Sequence, residues 1–272
     1  MDCRNTMTFK LQKDKRIGQV LFIVEGEKTE PNLIYKVFSG ILGYQMDRLY
    51  RNGSYRVFHR TDDPFSKVTV INTEESNIRF IAKDNEFLNN MFQILIEDYH
   101  LDIDNAAIYY LFDRDPESNT DEGFVRQMLS SLSSARDNNV DMTRQGLLLL
   151  SYPCIESFVG MNLLDNSIQY CWTNAISSGA KLKQALGRDG LIQNNIDSDT
   201  LLHCTEELIR SLALTGVDTN AEPLLQSLNQ FADNNMRVLN WQEAAHAERG
   251  QYGLLSLLAI ALLDLGLIQI DT

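Results

Sequence analysis

The chain has 272 residues, 44% of them hydrophobic, which suffices for one large domain or two smaller ones with a sizeable core. Its longest apolar run, at 254–263, is stopped by Asp264 and falls short of the roughly 18 residues of a membrane span. The N-terminus lacks the apolar core of a signal peptide, so a cytoplasmic protein without membrane contact is expected. The formal charge of −13 is uneven: residues 1–60 carry 11 Lys or Arg against 6 Asp or Glu, whereas 61–272 carry 13 against 31. That distribution excludes a broadly basic nucleic-acid binder and leaves a local patch, or a partner, to attract a polyanion.

Residues 1–16 form a polar, basic lead-in. Val20-Leu21-Phe22-Ile23-Val24 then breaks abruptly into Glu25-Gly26-Glu27. A β-branched and aromatic run this short reads as a buried parallel strand, over 19–24. Thr29-Glu30-Pro31 opens a helix, because proline is tolerated in the first turn and already has the needed φ. That helix should reach residue 38 and bury Leu33, Ile34, Val37 and Phe38. Asn52-Gly53 signals a hairpin between Leu49-Tyr50 and Tyr55-Arg56-Val57-Phe58. There follow a strand at 68–72, a helix at 85–99, and the apolar strand Ala107-Ile108-Tyr109-Tyr110-Leu111-Phe112, which ends in Asp113-Arg114-Asp115. A helix over 123–136 and a strand at 147–150, closed by Tyr152-Pro153, complete the alternation. It predicts an α/β fold with a parallel-rich sheet flanked by helices. Beyond Pro153 only helical periodicity is visible, at 155–164, 182–186, 200–214, 222–231 and 252–267. The expected division is therefore 1–165, carrying the sheet, and 166–272, mostly helical.

The two acidic breaks carry the chemistry. Ligands of open α/β sheets bind beyond the carboxyl ends of the strands. Glycine after Glu25 permits a tight strand-to-helix turn. If the second strand continues, Asp113 and Asp115 share one face. With Glu25 they form a cluster that repels itself unless a hard divalent cation with oxygen ligands sits inside, and such a cation can stabilise charge on a phosphoryl group.

Val24-Glu25-Gly26 and Asp113-Arg114-Asp115, on two strands of one α/β sheet, resemble the TOPRIM domain of topoisomerases, bacterial primases and OLD-family nucleases. The string Phe22-Ile23-Val24-Glu25-Gly26-Glu27-Lys28-Thr29-Glu30-Pro31-Asn32 and the element Tyr152-Pro153-Cys154-Ile155-Glu156 are similar to its RloB-like branch, associated with bacterial defence. The resemblance spans about 17–160 and implies a TOPRIM-like catalytic domain. It makes Glu25, Asp113 and Asp115 the catalytic residues. Glu30 and Glu156 join them as ligands of Mg²⁺ or Mn²⁺, although the family's second acid falls on Thr29 here, so Glu30 requires a one-residue shift. A lysine near the scissile phosphate is also implied, with Lys28, Lys181 and Lys183 as open candidates. The implied activity is metal-dependent cleavage of DNA or RNA, tRNA included, by a toxic effector of anti-phage or abortive-infection defence. An ABC- or OLD-type ATPase is the implied partner, since the chain has no P-loop of its own.

Two other functions fit the same acids. One is a non-catalytic interaction subunit whose carboxylates hold a structural cation. The other is a haloacid-dehalogenase-like phosphatase with Asp113 as nucleophile, although those proteins usually place Asp-x-Asp near the N-terminus. Arg48, Arg51, Arg56 and Arg60 alternate with aromatics around the hairpin and could contact nucleic acid, or simply form a solvated basic face. Asp62 and Asp63 read as solvated loop charges. Cys3, Cys154, Cys171 and Cys204 have no paired spacing and read as reduced thiols; the four histidines share no metal spacing. The apolar run at 254–263 reads as a buried helix, in the core or against a partner or second copy.

Overall fold

Five consecutive apolar residues can be buried only where both faces of a sheet are covered, and β2 (Gln19–Val24) meets that condition at the centre of the sheet. The computed structural model describes residues 7–47, 55–72, 93, 96–97, 105–117, 120–136, 146–220 and 231–271. Across them the fold is α/β, with a mixed sheet in the order β3-β4-β5-β2-β6-β8-β7. The four central strands, β5 (Lys67–Asn72), β2, β6 (Ala107–Asp113) and β8 (Gly146–Tyr152), run parallel. The outer strands β3 (Gln45–Met46), β4 (Tyr55–His59) and β7 (Ser133–Ser134) are antiparallel to their neighbours.

Helix α1 (Thr29–Tyr35) passes into a π-helical stretch, Lys36–Ile41, and buries Leu33, Ile34, Val37 and Phe38, as the periodicity required. Phe22 of β2 stacks on Tyr109 of β6, with ring centroids 5.4 Å apart, and tilts against Phe38 at 5.9 Å. These rings tie the helix to the strands that end at the two acidic breaks. The expected hairpin turn at Asn52-Gly53, most of the expected helix at 85–99, and residues 222–230 lie outside the described residues.

The expected helix at 123–136 is shorter. Helix α2 (Glu122–Ser131), capped by the Asp121 carboxylate accepting from the Phe124 N–H at 3.0 Å, stops before a serine-rich turn. Serine competes with a helix through its own hydrogen bonds, and here Ser133–Ser134 pairs with the start of β8 instead. Helices α3 (Glu156–Leu163), α4 (Ser167–Thr173), α5 (Gly179–Arg188), α6 (Ser198–Leu214) and α7 (Phe231–Arg249) follow.

Beyond Pro153 the expectation of helices alone fails twice. β7 covers only the first two residues of β8, so the buried edge at Ser151 and Tyr152 needs another partner. β9 (Leu255–Ser256) supplies it, pairing antiparallel with both. Helix α8 therefore begins only at Leu258 and runs to Asp264. β10 (Ile268–Asp271) then pairs antiparallel with β1 (Thr8–Leu11) in a separate two-stranded ladder. The apolar run at 254–263 is buried throughout, Ser256 included, and Cys154, Cys171 and Cys204 are buried free thiols. Among the described residues no helix is long and apolar enough to cross a membrane.

Gly146 starts β8 at φ +131°, and a Cβ there would stand 2.3 Å from the buried Tyr110 ring. Gly146→Ala combines backbone strain with overpacking and should cost about 3 kcal/mol or more, read as a lowered midpoint in urea unfolding.

Candidate functional site

The parallel register brings three strand ends to one rim. Val24 lies beside Leu111, and Asp113 beside Ser151. The first residue past β2, Glu25, donates its backbone N–H to Leu111 O at 3.3 Å, and its Oε2 accepts from the Asp113 N–H at 2.9 Å. Glu25 thus bridges from its own strand to the end of the next. Glu30, in the first turn of α1, folds back so that Oε1 accepts from the Gly26 N–H at 3.2 Å. This approach needs the glycine: a Cβ at residue 26 would stand 2.4 Å from Glu30 Oε2. The Ile155 backbone amide, where the chain leaves β8 for α3, works to lower the Asp113 carboxyl. Glu156 opens α3, and its Oε1 lies 2.7 Å from Lys183 Nζ of α5.

Glu25, Glu30, Asp113 and Glu156 line one cavity of ≈ 430 Å³, together with Lys28 and Lys183. The three glutamates are 8%, 4% and 8% exposed, respectively, so the cluster is held away from bulk water. Burial lifts the Glu25 carboxyl to about 7; the Asp113 amide pulls it down, and Glu30 and Asp115 push it up. Burial, followed by the charges of Glu25, Glu30 and Glu156, raises Asp113 well above the usual carboxylate range. Burial also raises Glu30. Burial works to lower the Lys183 ammonium, but the Glu156 hydrogen bond and the charges of Glu156 and Asp113 together hold it above the ordinary lysine value. The donor set is all oxygen, which suits a hard cation such as Mg²⁺ or Mn²⁺. Among the described residues no three acidic, imidazole or thiol groups already ring a single point at metal-ligand spacing.

Asp115 is placed differently from the other acids. β6 stops at Asp113, so strand alternation does not carry on to Asp115. Pro116 follows, and it cannot donate to a ladder. The Asp115 Oδ1 accepts from the Glu117 N–H at 3.0 Å, and Oδ2 lies 3.4 Å from where a Cβ on Gly179, the first residue of α5, would stand. Asp115 is outside the cavity lining but near enough to act on Glu25.

Of the three candidate lysines, Lys28 lines the cavity, Lys183 lines it and pairs with Glu156, and Lys181 binds Ser177 Oγ at 2.8 Å. No motif marks Lys183. It arrives because α5 buries Leu182, Ala185 and Leu186 and turns the neighbouring lysine toward the rim.

The candidate basic ribbon is only partly visible. Arg48 and Arg51 lie outside the described residues. Arg56 donates to Asn32 Oδ1 at 2.9 Å. Arg60 binds Asp62 through two hydrogen bonds of 2.8 Å each and also donates to Lys13 O; its side chain is only 11% exposed. It is built into the loop as a structural tie. Asp63, expected in solvent, is buried and accepts from the Ser66 hydroxyl at 3.0 Å and the Phe65 N–H at 3.1 Å, because it forms the turn leading into β5.

In comparisons with known proteins the chain matches no family model, no curated protein and no solved structure.

Two expectations follow from this geometry. Gly26→Ala leaves the backbone unstrained but drives the Glu30 carboxylate away, so it should keep the fold while weakening divalent-ion binding several-fold by calorimetry. The second concerns pH. Glu25 is raised in the folded state, so its folding contribution is full below its unfolded value near 4.5 and is lost as pH rises toward about 7. The loss amounts to about 3 kcal/mol at most. A cation that binds the ionised cluster offsets it. The rise in melting temperature on adding Mg²⁺ should therefore be larger at pH 8 than at pH 6, and Glu25→Gln should flatten that difference.

Proposed function

We propose that the chain is a divalent-metal-dependent nuclease on a TOPRIM-like sheet, hydrolysing phosphodiester bonds in DNA or RNA, with tRNA among the substrates to test. The observation that carries this reading is the gathering of Glu25, Glu30, Asp113 and Glu156 around one cavity beyond the ends of β2, β6 and β8, with Lys28 and Lys183 as cations already among them. The acids follow the order of the TOPRIM resemblance: Glu25-Gly26 after one strand, Asp113 after its parallel neighbour, and Glu156 just past the next.

Glu25, Glu30, Asp113 and Glu156 would hold Mg²⁺ or Mn²⁺, with Asp115 at the rim. Bound there, the ion supplies Lewis-acid stabilisation of charge developing on a phosphoryl group. Glu25 has Oε2 committed to the Asp113 amide, which leaves Oε1 as the atom to take or release a proton near neutral pH. Lys183 and Lys28 offer ammonium groups to the phosphate oxygens that the acids alone would repel. Burial excludes water from the carboxylates and strengthens every charge interaction between them.

The same resemblance places the protein as a toxic effector of anti-phage or abortive-infection defence, beside an ABC- or OLD-type ATPase that supplies the absent P-loop. The strongly acidic body supports this arrangement: it disfavours casual contact with nucleic acid and leaves delivery of substrate to a partner.

The test is purified protein incubated with Mg²⁺ or Mn²⁺ and plasmid DNA, single-stranded DNA or total tRNA. Cleavage of at least one substrate is expected, and Glu25→Ala should reduce it by about 10²-fold or more with the circular dichroism spectrum intact. Cleavage that persists in Glu25→Ala would remove Glu25 from the chemistry. A Glu25→Ala protein that still supports a functional complex would favour the interaction-subunit reading.

A further inference from the structure

Arg114 stands between the two aspartates, the first residue past the end of β6. Its side chain is only 4% exposed, and Nε donates to Glu243 Oε1 of α7 at 2.7 Å. Its Cζ lies 5.5 Å from the centroid of the Tyr252 ring. The Tyr252 hydroxyl donates to the same carboxylate, 3.1 and 3.2 Å from its two oxygens. The Tyr252 ring packs edge-on against Tyr152, the last residue of β8, at 5.6 Å.

The main chain doubles this connection. The Arg114 N–H donates to Ser151 O at 2.8 Å, the Ser151 and Ser256 hydroxyls share a hydrogen bond of 2.8 Å, and Ser157 Oγ donates to Tyr152 O at 2.7 Å. One buried cation therefore locks the ends of β6 and β8 to each other and to α7. Those ends lead directly into Asp113 and Asp115 on one side and Glu156 on the other. A buried ion pair is a poor source of stability, because apolar side chains of similar volume usually serve a fold as well. What the planar guanidinium adds is direction: it fixes where its partners sit.

We propose that Arg114 and Glu243 are positioning residues for the acidic cavity, their ion pair setting the spacing at which Asp113 and Glu156 take up one divalent cation. This rests on the metal-binding reading above, and it adds helix α7 to the working parts of that site.

The experiment is Mn²⁺ titration of the full chain, followed by loss of the free-ion signal in electron paramagnetic resonance. The key variant is the double substitution Arg114→Met with Glu243→Leu, which replaces the pair by apolar groups. Near-wild-type melting together with Mn²⁺ affinity lower by roughly tenfold or more is expected, the scale at which outer partners tune metal sites. Should that variant fail to fold, Tyr252→Phe removes only the hydroxyl on Glu243, and a several-fold weaker affinity is expected of it. Wild-type Mn²⁺ affinity in a folded double variant, or in Tyr252→Phe, overturns the positioning role while leaving the metal site standing. Glu25→Gln separates the two claims: if wild type takes up no Mn²⁺, or Glu25→Gln binds it equally well, the metal site itself is refuted and the positioning role falls with it.

Discussion

Glu25, Glu30, Asp113 and Glu156 bring like charges together where water screens them poorly, and the sheet forces this on them. Because β2, β6 and β8 run parallel and in register, their carboxyl ends cannot be staggered apart without unpairing the central ladder. What opposes the repulsion is local. The backbone N–H groups of Gly26 and Asp113 each donate to one of the acids, the Ile155 amide favours the charged form of Asp113, and the Lys183 ammonium meets Glu156. The raised Glu25 and Asp113 carboxyls show that these donors fall short of full compensation. A group kept at that disadvantage is characteristic of sites that bind or react, and the same crowding that weakens the fold favours an incoming cation.

The central parallel strands were legible in the sequence because each is a short apolar run, and burial on both faces leaves no alternation to confuse the reading. β2 and β6 fall within a residue of their expected bounds. The acids at their ends were legible for the same reason. Glu30 was harder: its position one residue off the familiar spacing matters little once Gly26 lets the side chain fold back. Asp115 shows the opposite case, since a pattern of two implies one face only while the strand lasts, and this strand stops first.

Lys183 was legible only as one of three open candidates, and Arg114 not at all as a site element, for different reasons. Lys183 depends on how α5 packs after a long excursion, which no local pattern encodes. Arg114 was hidden by its neighbours: a charged residue inside an acidic motif reads as surface, whereas tertiary structure provides Glu243 some 130 residues later and buries the arginine against it. β9 is similar. Leu255–Ser256 looks helical by composition, and only the uncovered edge of β8 explains why it is extended.

The order of these parts along the chain has a consequence during synthesis. Residues leave the ribosome from the N-terminus onward, so Glu25, Asp113 and Glu156 emerge well before Glu243, Tyr252 and the β9 residues that frame their strand ends. A nascent chain, or a fragment cut before residue 243, carries every acid of the rim without its brace.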